Sequence, residues 1–256
     1  MAKLHLSQCI LALAVWGGLI FNLQAAQAAE VSVAVAANFS APMQKIARAF
    51  AQETGHKAVL SLGSTGNFYA QIKNGAPFQV LLAADDETPL KLEKEGLGVA
   101  GSRFTYAIGK LVLWSKQPGL VDEQGAILRS GKFQRIAIAN PKLSPYGAAA
   151  VETLNQLGSW PALQSKQVQG ENIAQTYQFI ASENAQLGFV ALSQVLVDGK
   201  LAQGSAWMVP AHLHAPIQQD AILLNSGRDN PAAKALMNYL RSDSAKTLIR
   251  AHGYGL

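Results

Sequence analysis

Residues Val31–Phe50 read VSVAVAANFSAPMQKIARAF. Val31, Val33 and Val35 alternate with small residues, which predicts a strand. Pro42, Met43, Ile46, Ala47 and Phe50 then follow helical spacing. Pro42 suits the first helical position, and Ser40 or Asn38 can cap the helix, so amide N–H groups point into the turn between strand and helix. Such a turn attracts anions, because unpaired amides and the positive end of the helix dipole meet there.

The same device recurs along the chain. Ala58–Leu62 predicts a second strand, ending in Gly63-Ser64-Thr65-Gly66-Asn67 before a short helix through Tyr69 and Ile72. Its glycines allow close approach to a ligand, and Ser64 and Thr65 offer hydroxyls; read alone, the motif is more readily a flexible turn with a helix cap. Val80–Ala84 is a short apolar run of the kind covered on both faces. Asp85-Asp86 closes it, and a helix from Thr88-Pro89 ends at Gly96. Alternating strands and helices predict an α/β fold with a mainly parallel sheet. In open sheets of this class ligands sit at the carboxyl ends of the strands, where both polar turns lie.

Lys110–Trp114 and Arg135–Ala139 begin a second series. Asn140–Gly147 leads to a helix over Ala148–Leu157, with Tyr146 just before it, its hydroxyl or amide facing an anion or its ring packed on the proline turn. Val168 opens a strand, Asn172 caps a helix through Ile173, Tyr177 and Ile180, and Leu187–Ala191 is a buried strand. A short helix over Leu192–Val197 is expected to end at Asp198-Gly199. Trp207–Pro210 heads back towards the first half, where Ala221–Leu224 forms a strand. Asn230-Pro231 and Ser244 start the last two helices.

Residues 1–28 are read as a cleavable signal peptide: Lys3 precedes an apolar run from Cys9 to Phe21, and Ala26-Gln27-Ala28 has the small-x-small pattern of a cleavage site. The run is too short for a membrane span of roughly 20 residues. Cys9 is the only cysteine, so the exported chain is expected to rely on burial rather than disulfides. Lys and Arg number 21 against 16 Asp and Glu. These charges are scattered, which argues against a nucleic-acid surface. Enzyme chemistry finds little support. Gly63–Gly66 lacks the G-x-S-x-G spacing, no phosphate-binding G-x-x-x-x-G-K-[ST] loop occurs, and His212 and His214 sit between prolines as an expected exposed loop. Asp85-Asp86 reads as a cap and solvated turn rather than a cation site.

Taken together, Val33–Phe39, Gly63–Asn67 with Gln71–Pro77, Asn140-Pro141 through Pro145-Tyr146-Gly147, Glu171–Ile173 and Leu187–Ala191 resemble, in order and over nearly the whole exported chain, the molybdate/tungstate-binding proteins of bacterial ABC importers. The resemblance implies a two-lobed periplasmic-binding-protein fold of type II, each lobe a sheet flanked by helices, with the oxyanion in the cleft. It divides the chain into lobe 1 (29–109 and 211–256) and lobe 2 (110–210). It implies oxyanion contacts from Asn38, Thr65, Tyr146 and Ile173, the last through its amide, with Ser64 and Ala37 alongside. Molybdenum would be held as molybdate, without direct side-chain metal ligands and without a further cofactor. The implied partner is a membrane permease, and the protein is expected to be a periplasmic monomer and not an enzyme. A sulfate or thiosulfate receptor of the same fold, and an exported enzyme using the cleft, are the alternatives. Many relatives carry Ser at positions 38 and 65, some carry a ligand-binding Tyr at position 191, and the usual Asp and Ser flanking the third strand are here Gln79 and Ala83.

Overall fold

The computed structural model describes residues 28–197 and 199–256. The expected signal peptide lies outside the described residues apart from Ala28, as does Asp198.

The first half runs β1 (Glu30–Ala36), a 3₁₀ turn at Ala37–Phe39, α1 (Ser40–Thr54), β2 (Lys57–Gly63), α2 (Thr65–Lys73), β3 (Val80–Leu82), α3 (Glu87–Lys94) and β4 (Phe104–Gly109). The middle section comprises β5 (Leu111–Ser115), α4 (Ile127–Ser130), β6 (Ile136–Ala139), α5 (Pro145–Gln156), α6 (Trp160–Leu163), β7 (Gln167–Gly170), α7 (Ile173–Ala181), β8 (Leu187–Ala191) and α8 (Leu192–Val195). A small ribbon of β9 (Leu196–Val197) and β10 (Lys200–Leu201) follows, then β11 (Ser205–Met208). The chain ends with β12 (Ile217–Leu223), α9 (Pro231–Tyr239) and α10 (Asp243–Ala251).

Two five-stranded sheets result, ordered β2-β1-β3-β12-β4 and β11-β5-β8-β6-β7. Four of the five strands in each sheet share one direction, and the reversed ones are β12 and β5. Each is the first long strand after the chain changes sheets, at Gly109–Leu111 and again across 209–216. The expectation of a mainly parallel sheet is therefore correct for strand direction, while half of the pairings are antiparallel.

Strand alternation sorts side chains between two helical layers. Val31, Val33 and Val35 face Met43, Ile46 and Phe50 of α1, whereas Ala34 faces Phe68 and Ile72 of α2. In the second sheet Leu111 and Leu113 pack with Ala150 and Leu154 of α5, and Val112 and Trp114 with Ile180 of α7. Met43, Ile46 and Phe50 are fully buried, each contributing about 1.5–3 kcal/mol relative to exposure.

Several expectations are corrected. Helix α1 starts at Ser40 behind Phe39, and neither Ser40 nor Asn38 caps it through a side chain. Helix α5 starts at Pro145 rather than Ala148, which places Tyr146 inside its first turn. Helix α8 stops at Val195, because the chain turns into the β9–β10 ribbon instead of continuing to Val197. Strand β4 was not expected: only Lys110 separates it from β5, so one extended run of chain serves two sheets.

Candidate functional site

Four turns converge between the sheets on a small, tight cavity. Ala37 and Asn38 come from the turn after β1, Ser64 and Thr65 from the start of α2, Ser144 and Pro145 from the start of α5, and Asn172 and Ile173 from the start of α7. Asn38, Thr65, Tyr146 and Ile173 each occupy the first or second position of a helical turn. There the helix supplies no acceptor for the amide N–H.

Local sequence explains each wall. The Asn172 carboxamide oxygen accepts the Ala174 and Gln175 amides, both at 3.0 Å, which caps α7 and leaves the Ile173 amide outside the capping set. Ser64 Oγ caps α2 by accepting the Asn67 amide at 3.4 Å. Thr65 Oγ1 accepts the Ala84 amide at 2.9 Å, so its own hydrogen remains for another acceptor. Every side chain lining the cavity is uncharged, and the local positive potential comes from helix starts alone.

The two halves touch beside this cavity. The Gly66 amide donates to the Leu143 carbonyl at 3.0 Å. A Cβ at Gly66 would stand 2.9 Å from Leu143 Cα, so a side chain there obstructs the approach.

Two side chains expected at the ligand are engaged with protein partners. Asn38 Nδ2 donates to Gln219 Oε1 at 2.9 Å and to the Tyr254 hydroxyl at 3.0 Å. Tyr254 gives its one hydrogen to the Asn38 carbonyl at 2.7 Å, so what faces it from the Asn38 side chain must be a donor. Asn38 thus commits both side-chain amide hydrogens to protein partners, and its main-chain N–H is the donor left at the start of a helical turn. The Tyr146 hydroxyl accepts from Gln219 Nε2 at 3.2 Å, and the side chain is buried outside the cavity lining. Of the two options for Tyr146, the amide is the one at a helix start.

Gln219, Tyr254 and Ser193 were missed by sequence reasoning; the one available signal was the polar run Gln218-Gln219-Asp220 interrupting an apolar strand. Gln79 accepts from the Ser32 amide at 3.0 Å and from Asn230 at 2.9 Å, a fastening of β1 to the start of α9. Ala191 gives its amide to Gln194 Oε1 at 2.9 Å, and Gln194 in turn donates to the Ile173 carbonyl at 3.1 Å. His212 is exposed in a turn, and His214 Nδ1 lies 2.7 Å from the Ala215 carbonyl. Among the described residues no cluster of His, Cys, Asp or Glu is placed to hold a metal ion.

A neighbouring, larger groove shares Ala84, Ser144 and Pro145 with the cavity but is lined by Asp85, Asp86, Glu87 and Glu152. Burial pushes the Asp85 carboxyl up to about 6, against the opposing pull of its bonds from the Thr88 amide and hydroxyl.

The description of bacterial extracellular solute-binding proteins matches residues 31–255. The chain belongs to that family. The molybdate-binding protein ModA of Azotobacter vinelandii is 63% identical to this solute-binding protein over 232 residues, covering 91% of this chain and 92% of the relative. ModA of Rhodobacter capsulatus is 49% identical, covering 90% and 89%. Among solved structures, a periplasmic molybdate-binding protein of Azotobacter vinelandii superposes with a TM-score of 0.85 at 43% identity, covering 88% of this chain and 99% of that one. The two-sheet architecture is that of this family of binding proteins.

Proposed function

We infer that this chain captures molybdate outside the cytoplasm and delivers it to the membrane permease of an ABC importer. The observation that carries this reading is the cavity of uncharged side chains into which helix starts from both sheets converge; 63% identity to a molybdate-binding protein supports the choice of anion. A tetrahedral dianion is held there by the amides of Asn38, Thr65, Tyr146 and Ile173, the Ser64 and Thr65 hydroxyls and the backbone beside Ala37. Bonds to a charged oxygen are roughly twice as strong as neutral ones. Molybdenum stays inside its oxygen shell and meets no side chain.

Selectivity follows from what the wall lacks. A protonated phosphate oxygen needs an acceptor, and no carboxylate lines the cavity; an unpaired hydroxyl in a buried site is penalised. Sulfate carries no proton but is smaller, so cavity size rejects it. Tungstate, nearly the size of molybdate, binds as well. Closure of the two lobes buries the ion and presents the closed surface to the permease, and reopening releases it. Export through residues 1–28 to the periplasm and a monomeric state complete the reading.

Titration calorimetry of ligand-free protein with molybdate, tungstate, sulfate and phosphate tests it. Tight binding of the first two with no response to the others is expected. Sulfate binding as tight as molybdate overturns the assignment in favour of a sulfate receptor.

A further inference from the structure

Behind the cavity wall lies a buried hydrogen-bonded cluster drawn from both halves of the molecule. Asn38, Tyr106, Gln219 and Tyr254 belong to the first sheet and its helices and the segments beside them, Tyr146 and Ser193 to the second, and all six are buried. Ser193 Oγ reaches across to donate to the Asn38 carbonyl at 2.9 Å. Gln219 stands at the centre. Its Oε1 accepts from Asn38 at 2.9 Å and lies 3.1 Å from the Tyr106 hydroxyl, while its Nε2 donates to Tyr146 at 3.2 Å.

The backbone is shaped around this side chain. Between β12 and β4 the register shifts, with Gln219 opposite Ala107 and Asp220 opposite Thr105, so Tyr106 is left without a partner across the ladder. Such irregularities re-aim side chains. Gly109, the last residue before the chain first changes sheets, makes room for the link: a Cβ there would lie 2.2 Å from the Tyr146 hydroxyl and 2.7 Å from Gln219 Nε2. A bulge and a close backbone approach thus serve the same hydrogen bond.

We propose that Gln219 is a positioning residue that ties the Asn38 wall of the cavity to the Tyr146 wall across the hinge, so that it governs how long the closed form holds its anion. The proposal rests on the molybdate-capture reading for its ligand. One carboxamide holds the turn that carries the Asn38 amide and, through the Tyr146 hydroxyl, the first turn of α5. Opening the lobes separates Gln219 from Tyr146 and Ser193 from Asn38, so these bonds oppose opening but contribute little to the first encounter with the ion. Their loss is felt in dissociation.

Stopped-flow kinetics with molybdate on the full mature protein, for Tyr146→Phe, Gln219→Leu and the double variant, tests this. Tyr146→Phe removes a single oxygen and keeps the main-chain amide, so it decides the matter even if Gln219→Leu fails to fold. The expected result for each single variant is a dissociation rate raised roughly tenfold with association changed by less than about twofold. The double variant is expected to be no worse than the worse single one, because both remove the same bond. Small-angle scattering of ligand-free protein is expected to show Tyr146→Phe shifted towards the open form. Unchanged dissociation, additive effects, or a change confined to association overturns the proposal. Absence of molybdate binding by the wild type overturns the functional reading instead, and the scattering comparison then still decides whether the link holds the lobes together.

Discussion

The inner cavity and the outer groove are two parts of one cleft with opposite chemistry. The cavity is lined by neutral side chains at helix starts, whereas the groove carries Asp85, Asp86, Glu87 and Glu152 against Lys142. One step along the chain, from Ala84 to Asp85, separates an uncharged wall from an acidic one. On the proposed reading, a binding site for a dianion need not be built from cations. Oriented amides attract it in the low-dielectric interior, and the carboxylates next door make the adjoining space unfavourable for the same charge. The groove is the wider of the two, so the proposed placement of the ion rests on charge and donor direction rather than on room.

Making the cavity resemble the groove is the most severe test of this contrast. Ser64→Asp keeps the cap on α2, since Asp caps as well as Ser, but places a carboxylate against the bound dianion. Calorimetry is expected to show molybdate affinity reduced by about a hundredfold or more, like charges in contact costing several kcal/mol, with the melting temperature nearly unchanged. Wild-type affinity in this variant removes Ser64 from the site. Thr65→Ala comes next. It deletes a hydroxyl donor and leaves the Ala84 amide unpaired, so affinity is expected to fall roughly tenfold and stability by about 1–3 kcal/mol, read by calorimetry and urea unfolding.

A smaller effect is expected from the groove. Because Asp85 titrates at about 6 in the folded chain against 3.8 ordinarily, the folded state binds its proton more tightly than the unfolded state does. The Asp85 contribution to stability is therefore greatest below about pH 4, declines as pH rises towards 6, and is flat above it. Asp85→Asn is expected to remove that decline in urea midpoints measured between pH 4 and 7; a slope that persists unchanged assigns it to another group. The smallest effect belongs to Glu152→Gln, which thins the groove's negative field without touching the cavity. Molybdate affinity is expected to rise by less than about threefold at low salt, and the gain to vanish near 0.5 M salt as screening takes over.

How much of this was legible in the sequence depended on the reach of the contact involved. Val31–Phe50 announced strand, turn and helix because its apolar spacing changes from 2 to 3.6 within the segment. Asn172 announced its cap because the amides it accepts lie two and three residues on. The turns at positions 37–38, 64–65 and 172–173 were readable for the same local reason, and the structure brings them to one cavity. The role of the Asn38 side chain was not readable. Its partners Gln219 and Tyr254 lie 181 and 216 residues away, and nothing local distinguishes a carboxamide aimed at a ligand from one aimed into the hinge. Strand β4 was hidden because Lys110 is the only break between β4 and β5, and the assignment of the two halves to different sheets is a tertiary choice. The role of Gln79 was hidden in the same way: its partners Ser32 and Asn230 lie 47 and 151 residues away and make it a structural fastening.

The central claim is that the anion sits among amides at four helix starts and not in the acidic groove. Diffraction from crystals grown with molybdate, recorded at the molybdenum absorption edge, tests it most directly. The account predicts one anomalous peak in the inner cavity, with molybdate oxygens within hydrogen-bonding distance of the Asn38, Thr65, Tyr146 and Ile173 amides and no charged side chain in contact. A peak in the groove beside Asp85 and Glu152, or one held by a lysine or arginine, contradicts it.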